Sequence, residues 1–326
     1  MIRVGVVGLG MAVTPHAKSL LELKARAQVA YAYSPSAERR KKFAERFAFP
    51  QCERLETILE DRSVGAVLVL TPPNTHLEIV ERCAAAGKHV LLEKPLEIST
   101  ARAEALVKKM SSLKLGVVLQ HRFRPAVEEL TRRLKDLGPI VSASAAIPNW
   151  RPQSYYDQPG RGTRGRDGGG VLLTQGIHTL DVFLSFAGEA AEVKSFVTTT
   201  PVHRMETEDL VAAAVRFKSG ALGTVHATTA AYPGFAERIE LIGTRGSALL
   251  EGTALQMQFS DGNSFEMKTE SGGGGTGADP MAFPHDWHRG VLADFLDAIE
   301  QDREPRVSGA EALKVHRFID RLLQSR

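Results

Sequence analysis

The chain opens Met1-Ile2-Arg3-Val4-Gly5-Val6-Val7-Gly8-Leu9-Gly10. Ile2 to Val7 is rich in β-forming residues, and Gly8-Leu9-Gly10 stops it with a tight turn. A helical pattern follows from about Pro15 to Lys24, with Pro15 suited to the first turn. Strand, glycine turn and helix in that order are the setting a dinucleotide fingerprint requires. Gly8 permits the turn. Gly10 lets the backbone approach a pyrophosphate and, with Met11 and Ala12, brings that group to the helix N-terminus and its dipole. Val13 stands where GxGxxG has its third glycine. That glycine serves helix–strand packing, so its loss weakens the match and leaves the phosphate chemistry in place.

Outward from that turn, strands and helices alternate. A second strand, Gln28 to Tyr33, ends at Ser34, where such strands usually carry an acid for the adenosine ribose. A serine tolerates a 2′-phosphate, and Arg39 or Arg40 would pair with it. This tilts the NAD(P) choice toward NADP. The same run, Glu38 to Lys42, also reads as a solvated helix face. Leu55 to Asp61 is a short helix, and Ala66 to Leu70 an apolar strand covered on both faces. The turn Thr71-Pro72-Pro73-Asn74-Thr75-His76 comes next, and its His76 either meets a cofactor or caps the helix Leu77 to Ala86. Val90 to Leu92 is a buried strand ending in Glu93-Lys94-Pro95. Ligands collect beyond the carboxyl ends of parallel strands. Pro95 cannot extend the ladder and keeps Lys94 extended. A lysine held there, partly desolvated, trades a proton with a substrate hydroxyl; the plainer reading pairs it with a nearby acid. A helix from Thr100 to Met110 and a strand from Leu115 to Leu119 lead to Gln120-His121-Arg122-Phe123. This alternation is the mark of a doubly wound parallel sheet, an α/β fold. Residues 1–121 are therefore expected to form a dinucleotide-binding domain.

Residues 122–326 read differently. Pro125 to Asp136 is an amphipathic helix and Ile140 to Ile147 a strand. Trp150 to Arg166 is a loop holding Arg151, Arg161, Arg164 and Arg166 beside Tyr155 and Tyr156. Guanidinium groups read carboxylate or phosphate, and tyrosines stack on sugar rings, so an anionic sugar is one reading and a solvated loop the other. Gly168 to Gly170 opens a helix from about Leu172 to Ala187, on which Thr174, His178 and Asp181 share a face. From Val193 the pattern has period two: Leu210 to Phe217, Ala221 to Thr228, Glu237 to Ile242, Ser247 to Glu251, Leu255 to Phe259 and Ser264 to Lys268. Turn signals separate them, as in an antiparallel meander with one covered face. Ser271 to Asp279 reads as a flexible loop or lid. His285 and His288 have a spacing compatible with a metal, but no ligand cluster accompanies them in the sequence, so no metal is expected. Asp286 to Glu300 and Ala310 to Leu323 close the chain as helices.

Composition bounds the rest. The chain has 326 residues, long enough for two domains, with 43% hydrophobic and 24% charged residues. A net charge of +3, spread along the chain, gives no ground for nucleic-acid binding. Cys52 and Cys83 have neither CxxC nor metal-ligand spacing. No apolar run is long enough for a membrane helix, and no signal-peptide pattern precedes the first strand. A cytoplasmic protein is the expectation.

The motifs together resemble the Gfo/Idh/MocA oxidoreductases, the family of glucose–fructose oxidoreductase and inositol dehydrogenase. The matching pieces are Gly8-Leu9-Gly10 with His16, Thr71 to His76, Glu93-Lys94-Pro95, Gln120 to Phe123, and Gly168 to Asp181. The resemblance implies a Rossmann domain followed by an α+β domain with a large open, mostly antiparallel sheet. It implies NAD(P)-dependent oxidation or reduction at a sugar or cyclitol carbon, with the substrate held between the domains. Thr71, Pro72, Asn74, His76, Glu93, Lys94 and Gln120 join Ser34, Arg39 and the glycine turn on the cofactor side. Lys94 and His178 become the catalytic pair, with Arg122, Trp150, Tyr155, Tyr156, Arg161 and Thr174 about the substrate. The resemblance also implies a cis Lys94–Pro95 peptide and a homodimer or homotetramer built through the second sheet. Inositol dehydrogenase-like members carry Asp where this chain has Thr174, so the partner of the catalytic base is altered here. Rival readings are redox-assisted elimination with a recycled cofactor, and a nucleotide-sensing regulator without catalysis.

Overall fold

The computed structural model describes residues 1–268, 277 and 284–324. The chain divides into two compact units. One comprises Met1–Gln120 and His285–Leu313, the other His121–Pro284 and Lys314–Arg326. Among the described residues no helix is long and apolar enough to cross a membrane.

The first unit runs β1 (Ile2–Val7), α1 (Val13–Glu22), β2 (Ala27–Tyr33), α2 (Ala37–Ala44), β3 (Gln51–Cys52), α3 (Leu55–Glu60), β4 (Val64–Val69), α4 (His76–Ala85), β5 (His89–Leu92), α5 (Thr100–Lys109) and β6 (Leu115–Val117). Its six strands form a parallel sheet in the order β3-β2-β1-β4-β5-β6. Val67 to Val69 on β4 and Val90 to Leu92 on β5 are fully buried. Both faces of those strands are covered, which is why they show no polar alternation. The strand order reverses between β1 and β4, and the carboxyl ends of strands at such a reversal are where ligands bind. The distant helix Asp286–Glu300 also belongs to this unit. Arg26 pairs with its Asp297 at 2.6 Å and its Glu300 at 2.7 Å.

The second unit contains α6 (Pro125–Arg133), β7 (Ile140–Pro148), α7 (Gln153–Tyr156), α8 (Ile177–Ala187), β8 (Ala190–Thr198), β9 (Leu210–Phe217), β10 (Leu222–Thr228), β11 (Arg238–Gly243), β12 (Gly246–Glu251), β13 (Ala254–Phe259) and β14 (Ser264–Met267). The chain closes with α9, the helix Asp286–Glu300, and α10 (Gly309–Gln324). The eight-stranded sheet has the order β14-β13-β12-β11-β7-β10-β9-β8.

Three features depart from the sequence reading. The sheet is not a plain meander, because β7 lies between β10 and β11 and runs parallel to β10. Gly223 allows that approach: a Cβ there would stand 2.2 Å from the Ala143 carbonyl oxygen. β8 is a full strand beginning at Ala190, its start obscured by a bulge between Ala190 and Glu192 and by an outer row of charged residues. The helix expected from Leu172 is a π-helical turn, Leu172–Gly176, followed by α8. Ser271 to Asp279, apart from Gly277, lies outside the described residues.

Candidate active site

In the first unit, the loops after β1, β4 and β5 come from adjacent strands. Gly8 has φ +103°, and a Cβ on it would stand 2.7 Å from the Leu70 carbonyl carbon. Only glycine fits that turn without strain. Gly10 differs: a Cβ there meets no atom within 4 Å. The protein itself does not require a glycine at Gly10, so the open side suits a ligand backbone or phosphate. Ala12 precedes α1 and gives it no side-chain cap, and no acid lies in the first turn. Amides left without a side-chain partner at a helix start are ready donors for a phosphate. Gln120 Oε1 is buried without a hydrogen-bond partner among the described residues. An open glycine, an uncapped helix and an orphan acceptor fit a dinucleotide.

Ser34 directly follows β2 and is almost fully buried, and its Oγ accepts the Ser36 N–H at 3.3 Å. Arg40 donates to the Ser34 carbonyl at 2.8 Å and to Glu53 at 3.1 Å. Arg39 is exposed. Thr75 Oγ1 bonds Thr71 Oγ1 at 2.8 Å, which fixes the turn after β4, while Asn74 stays exposed.

The His76 ring turns into the protein. It is fully buried, its Nδ1 lies 3.1 Å from the carbonyls of Pro95 and Leu96, and its Nε2 lies 2.9 Å from the Thr71 carbonyl. The ring pins the turn after β4 to the segment after Lys94. Burial lowers its proton affinity and outweighs the facing carbonyls. The Lys94–Pro95 peptide is cis. Glu93 lies 2.7 Å from His16 Nε2, and its other oxygen accepts the Lys94 N–H at 3.1 Å. Burial raises the Glu93 pKa, but the His16 hydrogen bond and the charges of His16, His288 and Lys94 prevail and hold it below the usual range.

In the second unit, His178 sits in the first turn of α8 and is 8% exposed. Its ring lies against His121, with centroids 4.7 Å apart and planes tilted by 30°. His121 Nε2 meets the Arg124 guanidinium. Arginine can only donate, so Nε2 accepts and the proton belongs on Nδ1. That atom lies 3.7 Å from Glu237 Oε2. Burial depresses Arg124 to about 10, with the Glu237 charge opposing the shift. His121, Arg124 and Glu237 were not identified as site residues in the sequence; Glu237 lies more than a hundred positions from the other two, so the cluster has no local signal.

Asp181 is buried on α8, three residues beyond His178. Its two oxygens hold Arg122 in a bidentate pair at 2.7 Å each. Arg122 is therefore tied to α8 through this pair. Thr174 lies in the π turn, where its hydroxyl donates to the Gly170 carbonyl at 2.6 Å. Glu208, also missed in the sequence, caps this start through the amides of Gly170 and Leu172 at 3.0 and 3.2 Å.

The arginine-rich loop is not a bare cationic surface. Arg151 is buried and donates to the carbonyls of Trp150 and Gly277. Arg161 and Arg166 face Asp167 at 3.7 and 3.4 Å, and Arg164 faces Glu206 at 3.8 Å. Tyr156 is buried and donates to Thr229 Oγ1 at 2.8 Å, so it serves the core and not a sugar ring. Tyr155 remains partly exposed, with the Arg161 guanidinium 4.9 Å above its ring. Trp150, also partly exposed, meets Tyr232 edge-on at 5.4 Å.

Comparison with known proteins matches this architecture. The family described as "Oxidoreductase family, NAD-binding Rossmann fold" matches residues 2–121, and "GFO/IDH/MocA C-terminal domain" matches residues 131–249. Myo-inositol 2-dehydrogenase of Thermotoga maritima is 30% identical over 75% of this chain and 74% of its own length. The scyllo-inositol 2-dehydrogenase (NAD(+)) of Bacillus subtilis is 27% identical over 76% of this chain and 73% of its own. Among solved structures, the WlbA dehydrogenase from Chromobacterium violaceum, in complex with NADH and UDP-GlcNAcA, superposes with a TM-score of 0.85. It is 25% identical, and the match covers 99% of this chain and 93% of that one.

Proposed function

This chain belongs to the GFO/IDH/MocA family of NAD-dependent oxidoreductases, and on that premise we propose that it interconverts a secondary alcohol and a ketone on a cyclitol or neutral sugar. The observation that carries the reading is the alignment of three loops on adjacent strands of the first unit: Gly8 to Ala12, Thr71 to His76, and Glu93 to Pro95. A bound nicotinamide supplies the hydride acceptor or donor; the chain places the substrate and moves the proton. Lys94 takes the hydroxyl proton during oxidation and returns it during reduction. His178, held against His121, is the second proton-handling group. The resemblance to inositol dehydrogenases supports both assignments.

A neutral substrate is favoured over an anionic one because Arg151, Arg161, Arg164 and Arg166 already face acceptors of this chain. Initial rates with myo-inositol, scyllo-inositol, glucose and glucuronate test this. A neutral polyol is expected to exceed the uronate at least about tenfold in kcat/KM. A uronate preference would reverse the assignment, and no net nicotinamide change with any polyol would remove the dehydrogenase reading.

NADP is the favoured cofactor form. Ser34 brings no carboxylate against a 2′-phosphate, and Arg39 is exposed close by in the chain while Arg40 is tied to Glu53. Arg39→Ala is expected to narrow the NADPH-over-NADH preference and Ser34→Asp to invert it. An NADH preference in the unmodified protein would mean that Arg39 serves solvent alone.

The outer face of the second sheet supports self-association as a homodimer or homotetramer. Phe196, Leu222 and Ile242 are exposed on it, at 88%, 52% and 51%. Ala212 lies between Phe196 and His226 in register and leaves that part of the face nearly flat.

A further inference from the structure

His16 on α1, Glu93 just after β5 and His288 on α9 converge inside the first unit. A donor atom from each lies within 4.8 Å of the others. The rings of His16 and His288 meet edge-on with centroids 5.0 Å apart. His16 is 1% exposed and His288 3%. The His16–Glu93 hydrogen bond accounts for one nitrogen of His16. Its other nitrogen, Nδ1, is buried with no hydrogen-bond partner among the described residues.

We propose that His16, Glu93 and His288 bind a single divalent transition-metal cation of the zinc class. Two imidazoles and a carboxylate are a donor set that zinc accepts while keeping a fourth position for water. Metal–ligand bonds of about 2.0–2.1 Å place tetrahedral donors roughly 3.3 Å apart. Small ring rotations close the present separations, and the His16–Glu93 hydrogen bond gives way to two metal bonds. The donors come from two helices and a strand end, so the site is held by rigid elements. The 12% exposure of the Glu93 side chain leaves an approach for the ion. The Lys94 ammonium follows Glu93 directly and opposes a cation, which argues for micromolar rather than nanomolar binding. The site stands whether or not Lys94 is the acid–base group.

The test uses the full chain, stripped with a chelator and dialysed into metal-free buffer. Calorimetric titration with Zn²⁺ is expected to show one equivalent bound, with a dissociation constant on the order of 1 µM. Co²⁺ is expected to give the d–d absorption of a low-coordinate N/O site. His288→Gln and Glu93→Gln should each weaken binding at least about tenfold, the usual scale for losing one ligand or its support. Melting curves are used to confirm that both variants are folded. His285→Gln, which removes a partly exposed histidine paired with Glu22, should leave the affinity unchanged. Binding far below one equivalent would overturn the proposal, as would stoichiometric binding that survives both His288→Gln and Glu93→Gln.

Discussion

A Cβ on Gly8 would strike the Leu70 backbone, whereas one on Gly10 would meet open space. The same substitution should therefore fail in two different ways. Gly8→Ala is expected to destabilise the protein by about 1–3 kcal/mol through strain and overlap. Gly10→Ala should melt like the unmodified chain and still lose nucleotide affinity about tenfold or more, the scale of one steric clash with a bound group. Paired melting and NADPH fluorescence titrations separate the two, and equal melting losses would contradict the argument. Lys94→Ala should lower kcat about a hundred- to ten-thousandfold, the usual worth of a positioned acid–base group. Its NADPH affinity should hold within a factor of about three; an unchanged kcat would remove Lys94 from the reaction. The glycine turn was readable in the sequence because its logic is local: strand, turn, helix. The pairing of Glu93 with His16 was not, because 77 positions separate the two residues. His76 was open to two readings in the sequence, and its burial among three carbonyls, which come from two segments, was not legible there.

At the scale of elements, β5 and the turn after β4 are held together by the His76 ring, and this bond has a pH signature. Burial lowers the proton affinity of His76 below its ordinary value. Above about pH 6.5 neither the native nor the unfolded chain protonates this residue, and its contribution is complete. Below that pH the unfolded chain takes up a proton that the native chain resists. Stability should therefore fall as the pH drops below that value, with about 1.4 kcal/mol per pH unit as the upper limit of the slope from this one residue. Denaturant midpoints between pH 8 and pH 5 should show that fall, and His76→Gln should flatten it; an unaltered slope would contradict the assignment. The strands of the first sheet were legible from short apolar runs bounded by turn residues. The π turn before α8 was not, since Leu172 to Gly176 has ordinary helix-forming composition. Its cause is distant: Glu208 caps its amides, and Gly170 packs so close that a Cβ would stand 1.8 Å from the Glu208 carbonyl oxygen. The insertion of β7 beside β10 is likewise a product of packing, with Gly223 allowing the approach to Ala143.

At the scale of the whole molecule, the second sheet exposes its outer face. Phe196 and Leu222 stand exposed on that face, at separate positions along the strands, and the proposed self-association would cover them. Sedimentation velocity should find a dimer or tetramer, and Phe196→Asp with Leu222→Asp should shift the distribution toward the monomer; a monomeric unmodified chain would contradict self-association. The general character of both sheets was readable from residue alternation, which reports covered and open faces directly. The residues that set the surroundings of His178, namely His121, Arg124 and Glu237, were not readable, because only the folded second unit brings them together. The central claim is net hydride transfer to a nicotinamide, and deuterium labelling tests it most directly. A polyol substrate deuterated at the reacting carbon would be turned over with oxidised cofactor, and the released cofactor analysed by mass spectrometry. One deuterium on the reduced nicotinamide per ketone formed, with a primary isotope effect in a single turnover, is the predicted result. Substrate consumption that leaves the cofactor oxidised and unlabelled would contradict the account.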